Sequence, residues 1–387
     1  MITVNVFDRK LTIHISGYSK NDVIPICEPY DEVYIRIRDF PINQILEDWL
    51  IDICSKAFNF EFDAISDHKY QIQRIIDKIP LLRRLDVNFP IDYSKYNLLE
   101  HLGIRSSNYT CSNVRSLDLF CDKEYLNVQL HENLREFEVN SYYVSDIDVD
   151  KMFEQLKNLP IETLKYSGTS PISCLNEFKH LKRLGIRVHY ADIPFQESII
   201  AMLKTNQLIE FAIRVNHLVF VKDIINVLPD HLCKLWIGSD ECITLDPNST
   251  LKLSEYIRKS HLKSFGLLNI NGNMSTIVDA ITMNKTITDL SLFTIDDLNI
   301  EKLIEKNNTI RILNISNQFK SQVLNSIIFN NTLTNVSFTS QHEKIKTKII
   351  HNRSLYKMPK FRTRSGMFTT SLKSDVEFKF SNKRLFP

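Results

Sequence analysis

Three stretches of the chain repeat one order of polar and apolar positions: NKTITDLSLF from Asn284, NNTIRILNIS from Asn307 and NNTLTNVSFT from Asn330. Each sets Asn and Thr ahead of a branched apolar residue, then two spacers, then apolar-x-apolar, and the copies lie 23 residues apart. Towards the N-terminus the core of this pattern, apolar-x-x-apolar-x-apolar, recurs. It appears as HLKSFGL (from His261), HLCKLWI (His231), QLIEFAI (Gln207), HLKRLGI (His180), PIETLKY (Pro160), NLREFEV (Asn133), NVRSLDL (Asn113), LLEHLGI (Leu98) and LLRRLDV (Leu81). The middle apolar residues are Leu85, Leu102, Leu117, Phe137, Leu164, Leu184, Phe211, Leu235, Phe265, Leu290, Leu313 and Val336. Weaker copies surround Phe60, Ile35 and Ile13.

The apolar-x-apolar end has the period of a strand with one buried face. The segments between have helical period, as in QILEDWLIDICSKA (Gln44 to Ala57), VDKMFEQL (Val149 to Leu156) and NIEKLIEKN (Asn299 to Asn307). One strand and one returning helix cannot bury an apolar face alone; stacked units can, and build a parallel sheet. Asn-Thr then marks the bend into each strand.

The unit resembles the leucine-rich repeat, LxxLxLxx(N/C)xL, in its ribonuclease-inhibitor-like or F-box-associated form. The resemblance implies an α/β solenoid: a curved horseshoe with a parallel β-sheet on the concave face and helices on the convex face. It implies an N-terminal cap over 1–30, about 13–14 irregular repeats over 31–350 and a basic C-terminal cap or tail over 351–387. Two departures stand out. The Asn or Cys expected after the strand is mostly missing, and the copies around Leu102 and Leu117 are too short for a full helix.

Composition narrows the chemistry. The chain has 387 residues, 8 of them glycine, and neither GxGxxG nor GxxxxGK[ST], so no phosphate-cradling loop is expected. The 7 cysteines form no CxxC pair, which points to reduced thiols and away from zinc ribbons. His180, His231 and His261 share one place ahead of three strands and are read as turn residues capping backbone groups rather than metal ligands. Asp146, Asp148, Asp150 and the pair Asp296-Asp297 are read as loop and helix-start carboxylates. No metal, cofactor, small-molecule substrate or catalytic set is expected, and the chain is read as not an enzyme. Without a secretory-type start or a long apolar run, the expected compartment is cytoplasmic or nuclear.

Residues flanking a buried strand leucine point away from the core. That alternation gives early strands with acidic residues (Asp86, Asp118, Glu136, Glu138) and late strands that are neutral, with Leu268 and Phe293 among Ser and Asn. Between them lies a basic and aromatic zone of Lys165, Arg183, Arg187, Arg214, Lys234 and Trp236. In leucine-rich-repeat proteins this face commonly takes the partner, so these six are the candidate contacts. Trp236, between Ala212 and Gly266, is either an interface anchor or a ring lying flat on the sheet whose neighbours are small because it fills their space. Reversing Arg187 and Arg214 to Glu is expected to abolish binding and leave folding intact.

Residues 343–387 hold 12 Lys/Arg against 3 Asp/Glu, a net of 12 − 3 = +9; the whole chain is +2, so residues 1–342 carry 2 − 9 = −7. KIKTKIIHN (Lys344 to Asn352) is expected to be the last helix, and Val376 to Phe380 a capping strand. Lys357, Lys360, Arg362 and Arg364 are the candidate tail contacts. The expected function is a non-enzymatic protein that binds another protein through its concave sheet. One alternative is a subunit of a ribonucleoprotein or other large assembly, anchored to nucleic acid by the basic tail. Another is an F-box-like ubiquitin-ligase substrate receptor, because FPINQILEDWLIDICSKAF (Phe40 to Phe58) resembles an F-box helix, although it fits better as the helix following VYIRIRD.

Overall fold

A computed structural model describes residues 2–7, 10–15, 32–37, 44–54, 59–64, 69–78, 82–87, 96, 98–104, 108–110, 114–121, 127–141, 146–205, 207–293, 295–315 and 321–337. The chain divides into two compact units, Met1–Ser170 with Phe178–His180, and Pro171–Glu177 with Leu181–Pro387.

In the first unit, β1 (Ile2–Phe7) pairs antiparallel with β2 (Lys10–Ile15), and β2, β3 (Glu32–Ile37) and β4 (Asn59–Ala64) run parallel. Helix α1 (Gln44–Cys54) connects β3 to β4, and α2 (Lys69–Ile76) follows β4. The register pairs Ile35 with Ile13 and with Phe62, not Phe60. The alignment through Phe60 is therefore off by two residues, a slip that keeps each side chain on its own face. A second parallel run comprises β5 (Arg84–Val87), β6 (His101–Ile104), β8 (Ser116–Phe120), β10 (Glu136–Ser141) and β11 (Thr163–Gly168). Helix α3 (Asp146–Leu156) joins β10 to β11. Among the described residues no helix separates β5 from β6 or β6 from β8, as those short copies require; the small strands β7 (Asn108–Thr110), between β6 and β8, and β9 (Asn127–Gln129), between β8 and β10, pair with each other.

The second unit is the regular one. Strands β12 (Arg183–Val188), β13 (Glu210–Val215), β14 (Lys234–Thr244), β15 (Ser264–Asn271), β16 (Asp289–Leu292), β17 (Ile312–Ile315) and β18 (Asn335–Ser337) are parallel and adjacent in sequence order. Helices α4 (Ile193–Lys204), α5 (Leu218–Val227), α6 (Pro247–Lys259), α7 (Met274–Met283), α8 (Asp297–Lys306) and α9 (Ser321–Phe329) alternate with them. The result is a solenoid-like α/β repeat with a parallel sheet.

The register aligns Leu184, Phe211, Leu235, Phe265, Leu290, Leu313 and Val336 in one row across the sheet. None of the seven is more than 3 % exposed. The apolar positions three before and two after each form two further buried rows, Leu181 to Leu333 and Ile186 to Ile315. Helix side chains such as Phe195, Phe220, Leu253, Ile277 and Leu303 close over this face. Phe195 and Phe220 meet edge to face with ring centroids 5.7 Å apart. Each such leucine carries about 2–5 kcal/mol against truncation to alanine. The opposite, open face is left for long polar side chains.

Asparagine makes the corner between helix and strand. Asn284 and Asn307 end α7 and α8 and are buried. Asn307 Oδ1 accepts from Thr309 N, Ile310 N and Thr309 Oγ at 2.8–3.0 Å, and its Nδ2 donates to Ile281 O of the preceding repeat at 3.1 Å. Asn284 and Asn330 repeat this set. One amide thus satisfies backbone groups of two repeats, a burial that stays favourable only when every partner is met.

Asp296 starts a helix as its position suggested, capping α8 by accepting from Asn299 N at 2.9 Å; Asp192 and Asp246, not singled out in the sequence, cap α4 and α6 in the same way. His180 and His231 sit in turns as read, and all three histidines including His261 are exposed; a capping bond is made by another, His217, whose Nδ1 accepts from Phe220 N at 3.1 Å to start α5.

Candidate functional site on the open face of the second unit

Strands β12, β13 and β14 place four long cations on the open face in two rows. The lower row pairs Arg183, Glu210 and Lys234 in register, and the upper pairs Arg187 with Arg214. In each row two cations share one carboxylate.

Glu210 Oε1 lies 3.2 Å from Lys234 Nζ and 3.8 Å from Arg183 Nε. The Glu210 side chain is only 10 % exposed, against 24 % for Lys234 and 40 % for Arg183. Positive groups therefore form the outer layer over a buried carboxylate, and Glu210 Oε2 is buried without a hydrogen-bond partner.

In the upper row the carboxylate comes from Asp240. Its Oδ1 takes Arg187 Nη2 at 3.0 Å and pairs with Arg214 Nη2, while His189 Nδ1 lies 3.5 Å from Oδ2. Asp240 reaches this place because β14 carries a bulge. Gly238 pairs with Leu268, but the next pair is Ile243 with Ile270, so residues 239–242 stand against Asn269 alone. Asn269 adopts φ 53° to make the fit, and its Nδ2 donates to Ser239 O and Asp240 O. Asn216 Oδ1 accepts from Ser239 Oγ and Asp240 N at 2.7 Å and from Glu241 N at 3.4 Å. Two asparagines from neighbouring strands hold the bulge, and the bulge holds the carboxylate.

Trp236 stands between the rows. A Cβ on Gly266 would lie 2.0 Å from its Cδ1, and one on Gly238 would lie 2.5 Å from its Cη2. The indole therefore lies flat across both glycines, the second of the two readings given above.

Five of the six sequence-derived candidates thus gather on these strands. Lys165 belongs to the first unit, where its Nζ meets Glu138 Oε2 at 2.8 Å. Burial acts to lower its pKa, but Glu138, with Asp118 and Glu136, raises it above the ordinary lysine value. Lys165 thus neutralises an acid row rather than standing in a basic one. The expectation that Arg187 and Arg214 tolerate reversal is also corrected. Two glutamates there would face Asp240 across a half-buried site, so the fold would suffer with the binding. Asp240, His189 and Asn216 escaped the sequence reading. They share one position, five residues after Leu235, Leu184 and Phe211, respectively.

Lys357, Lys360, Arg362 and Arg364, with the expected helix 344–352 and strand 376–380, lie outside the described residues. Among the described residues, no group of three or more His, Cys, Asp or Glu side chains is placed to hold a metal ion, and no helix is long and apolar enough to cross a membrane. No protein-family model matches the chain, and the search of curated proteins returns no match.

Proposed function

We propose that this is a non-enzymatic leucine-rich-repeat protein that binds another protein through the open face of its sheet, with β12, β13 and β14 as the contact. The observation that carries the reading is the layered charge on that face. In the lower row two cations lie outermost over one buried carboxylate, beside a tryptophan fixed flat by two glycines. A preorganised aromatic beside charged groups loses little entropy on binding.

The test is affinity purification of the tagged full chain after nuclease treatment. It is compared with a variant carrying Arg183→Gln, Lys234→Gln and Glu210→Gln together, which removes a net positive charge without leaving a buried carboxylate alone. Partners that survive nuclease with the wild type and are lost with the variant support the reading. Partners lost on nuclease treatment of the wild type favour a ribonucleoprotein subunit, for which the net +9 of residues 343–387 speaks.

A further inference from the structure

We infer that the main-chain carbonyl of Ile327, near the end of α9, is the docking point for the side-chain amide of Asn352. The repeat array then takes in residues 352–358, and the basic segment leaves from its end rather than as an arm beginning at 343. The inference stands apart from the protein-binding reading of β12, β13 and β14.

The last carbonyls of a helix have no partner within it. In α6, α7 and α8 one of them is met from outside, each time by the corner asparagine that ends the following helix. Asn284 Nδ2 donates to Ile257 O at 2.6 Å, Asn307 Nδ2 to Ile281 O at 3.1 Å and Asn330 Nδ2 to Ile304 O at 3.0 Å. The three acceptors are isoleucines at steps of 24 and 23 residues, and the next step of 23 is Ile327, buried in α9. Its carbonyl takes Asn330 N at 3.3 Å, while the shorter bond of that N–H, 3.0 Å, goes to Ser326 O. Among the described residues no side-chain amide reaches Ile327 O. The fourth acceptor is in place, and its amide must come from further along the chain.

The sequence supplies that amide. The corners at Asn284, Asn307 and Asn330 read Asn-x-Thr and then a branched apolar residue; Asn352-Arg353-Ser354-Leu355 repeats this order 22 residues after Asn330. Ser354 brings the hydroxyl that Thr286, Thr309 and Thr332 donate to the asparagine Oδ1. The apolar places then fall in order. Ile287, Ile310 and Leu333 are followed by Leu355, and Leu290, Leu313 and Val336 by Met358. There the pattern stops. Lys360 stands at the place where Leu292 and Ile315 are buried, and Pro359 has no N–H to bring to a sheet. Lys357 thus falls in the row of Asp289, Ile312 and Asn335, inside the array. Lys360, Arg362 and Arg364 follow its end and are the cations that a partner can meet there.

The experiment compares Asn352→Ala, Asn352→Asp and Arg353→Ala in the full chain, by urea unfolding and by hydrogen exchange of the 354 and 355 amides. In the wild type both amides are expected to exchange at least about a hundredfold more slowly than in an unstructured chain. Asn352→Ala should lose that protection and lower the urea midpoint about as much as Asn307→Ala does, while Arg353→Ala leaves both unchanged. Aspartate keeps the oxygen that those amides need but has no N–H for Ile327 O, and it brings a negative charge to the end of a helix. Asn352→Asp should therefore keep the protection at 354 and 355 yet lower the midpoint as Asn352→Ala does. An Asn352→Asp midpoint equal to that of the wild type would mean a local turn alone and would overturn the docking. Unprotected 354 and 355 amides in the wild type, or an Asn352→Ala variant indistinguishable from Arg353→Ala, would overturn it as well.

Discussion

Asn307 shows how much one side chain does in this fold. Its amide answers two backbone N–H groups and a hydroxyl in its own repeat and a carbonyl in the one before, from a site 4 % exposed. Asn307→Ala leaves those groups buried and unmet, and we expect a loss of about 2–4 kcal/mol in urea unfolding. Its exposed neighbour tests the specificity: Asn308→Ala should stay within about 0.5 kcal/mol. Trp236 is a second single-residue case. Gly266→Ala puts a methyl into the indole edge. It should displace the ring, shift its emission to the red in the Trp49→Phe background and cost about 1–3 kcal/mol. Unchanged emission would contradict the flat placement of the ring.

At the scale of elements, helix starts and the β14 bulge carry the testable electrostatics. Asp246 caps α6, and bonds from Lys222, from the Ser249 backbone N–H and from the Ser249 hydroxyl hold its carboxyl well below the usual carboxylate range. A depressed folded pKa stabilises above the unfolded carboxylate value and is lost as pH falls towards the folded one. Asp246→Asn should therefore lower stability near neutrality, where the ionised carboxyl contributes, and flatten the decline below about pH 4, so that the two proteins converge in acid. The bulge makes a separate prediction. Asn216→Ala removes the acceptor of Ser239 Oγ and of the Asp240 and Glu241 amides. Hydrogen exchange at 240 and 241 should quicken while the amides of β13 stay protected.

These elements also mark what the sequence could disclose. Apolar spacing alone aligned Leu184, Phe211, Leu235, Phe265, Leu290, Leu313 and Val336, because a parallel register follows from the row each leucine must bury. It placed four cations and Trp236 on one face for the same reason. It missed Asp240 because a bulge shifts the register locally and breaks the period by which positions were counted. The signal was still present, since Asp240 and Asn216 occupy the same slot of successive repeats. The orientation of Trp236 needed two glycines read together, Gly238 on its own strand and Gly266 on the next.

For the whole molecule, charge is distributed unevenly along the chain: −7 over residues 1–342 and +9 over 343–387, for a total of +2. Net charge alone therefore says little about what the chain binds, and local arrangement decides. The most direct test is photo-cross-linking of the full chain to its nuclease-resistant partner. One probe replaces Arg183, outermost on the open face; the other replaces Leu251, exposed on α6. The account predicts a cross-link from position 183 and none from position 251. Cross-linking from 251 instead, or from neither position, would contradict it.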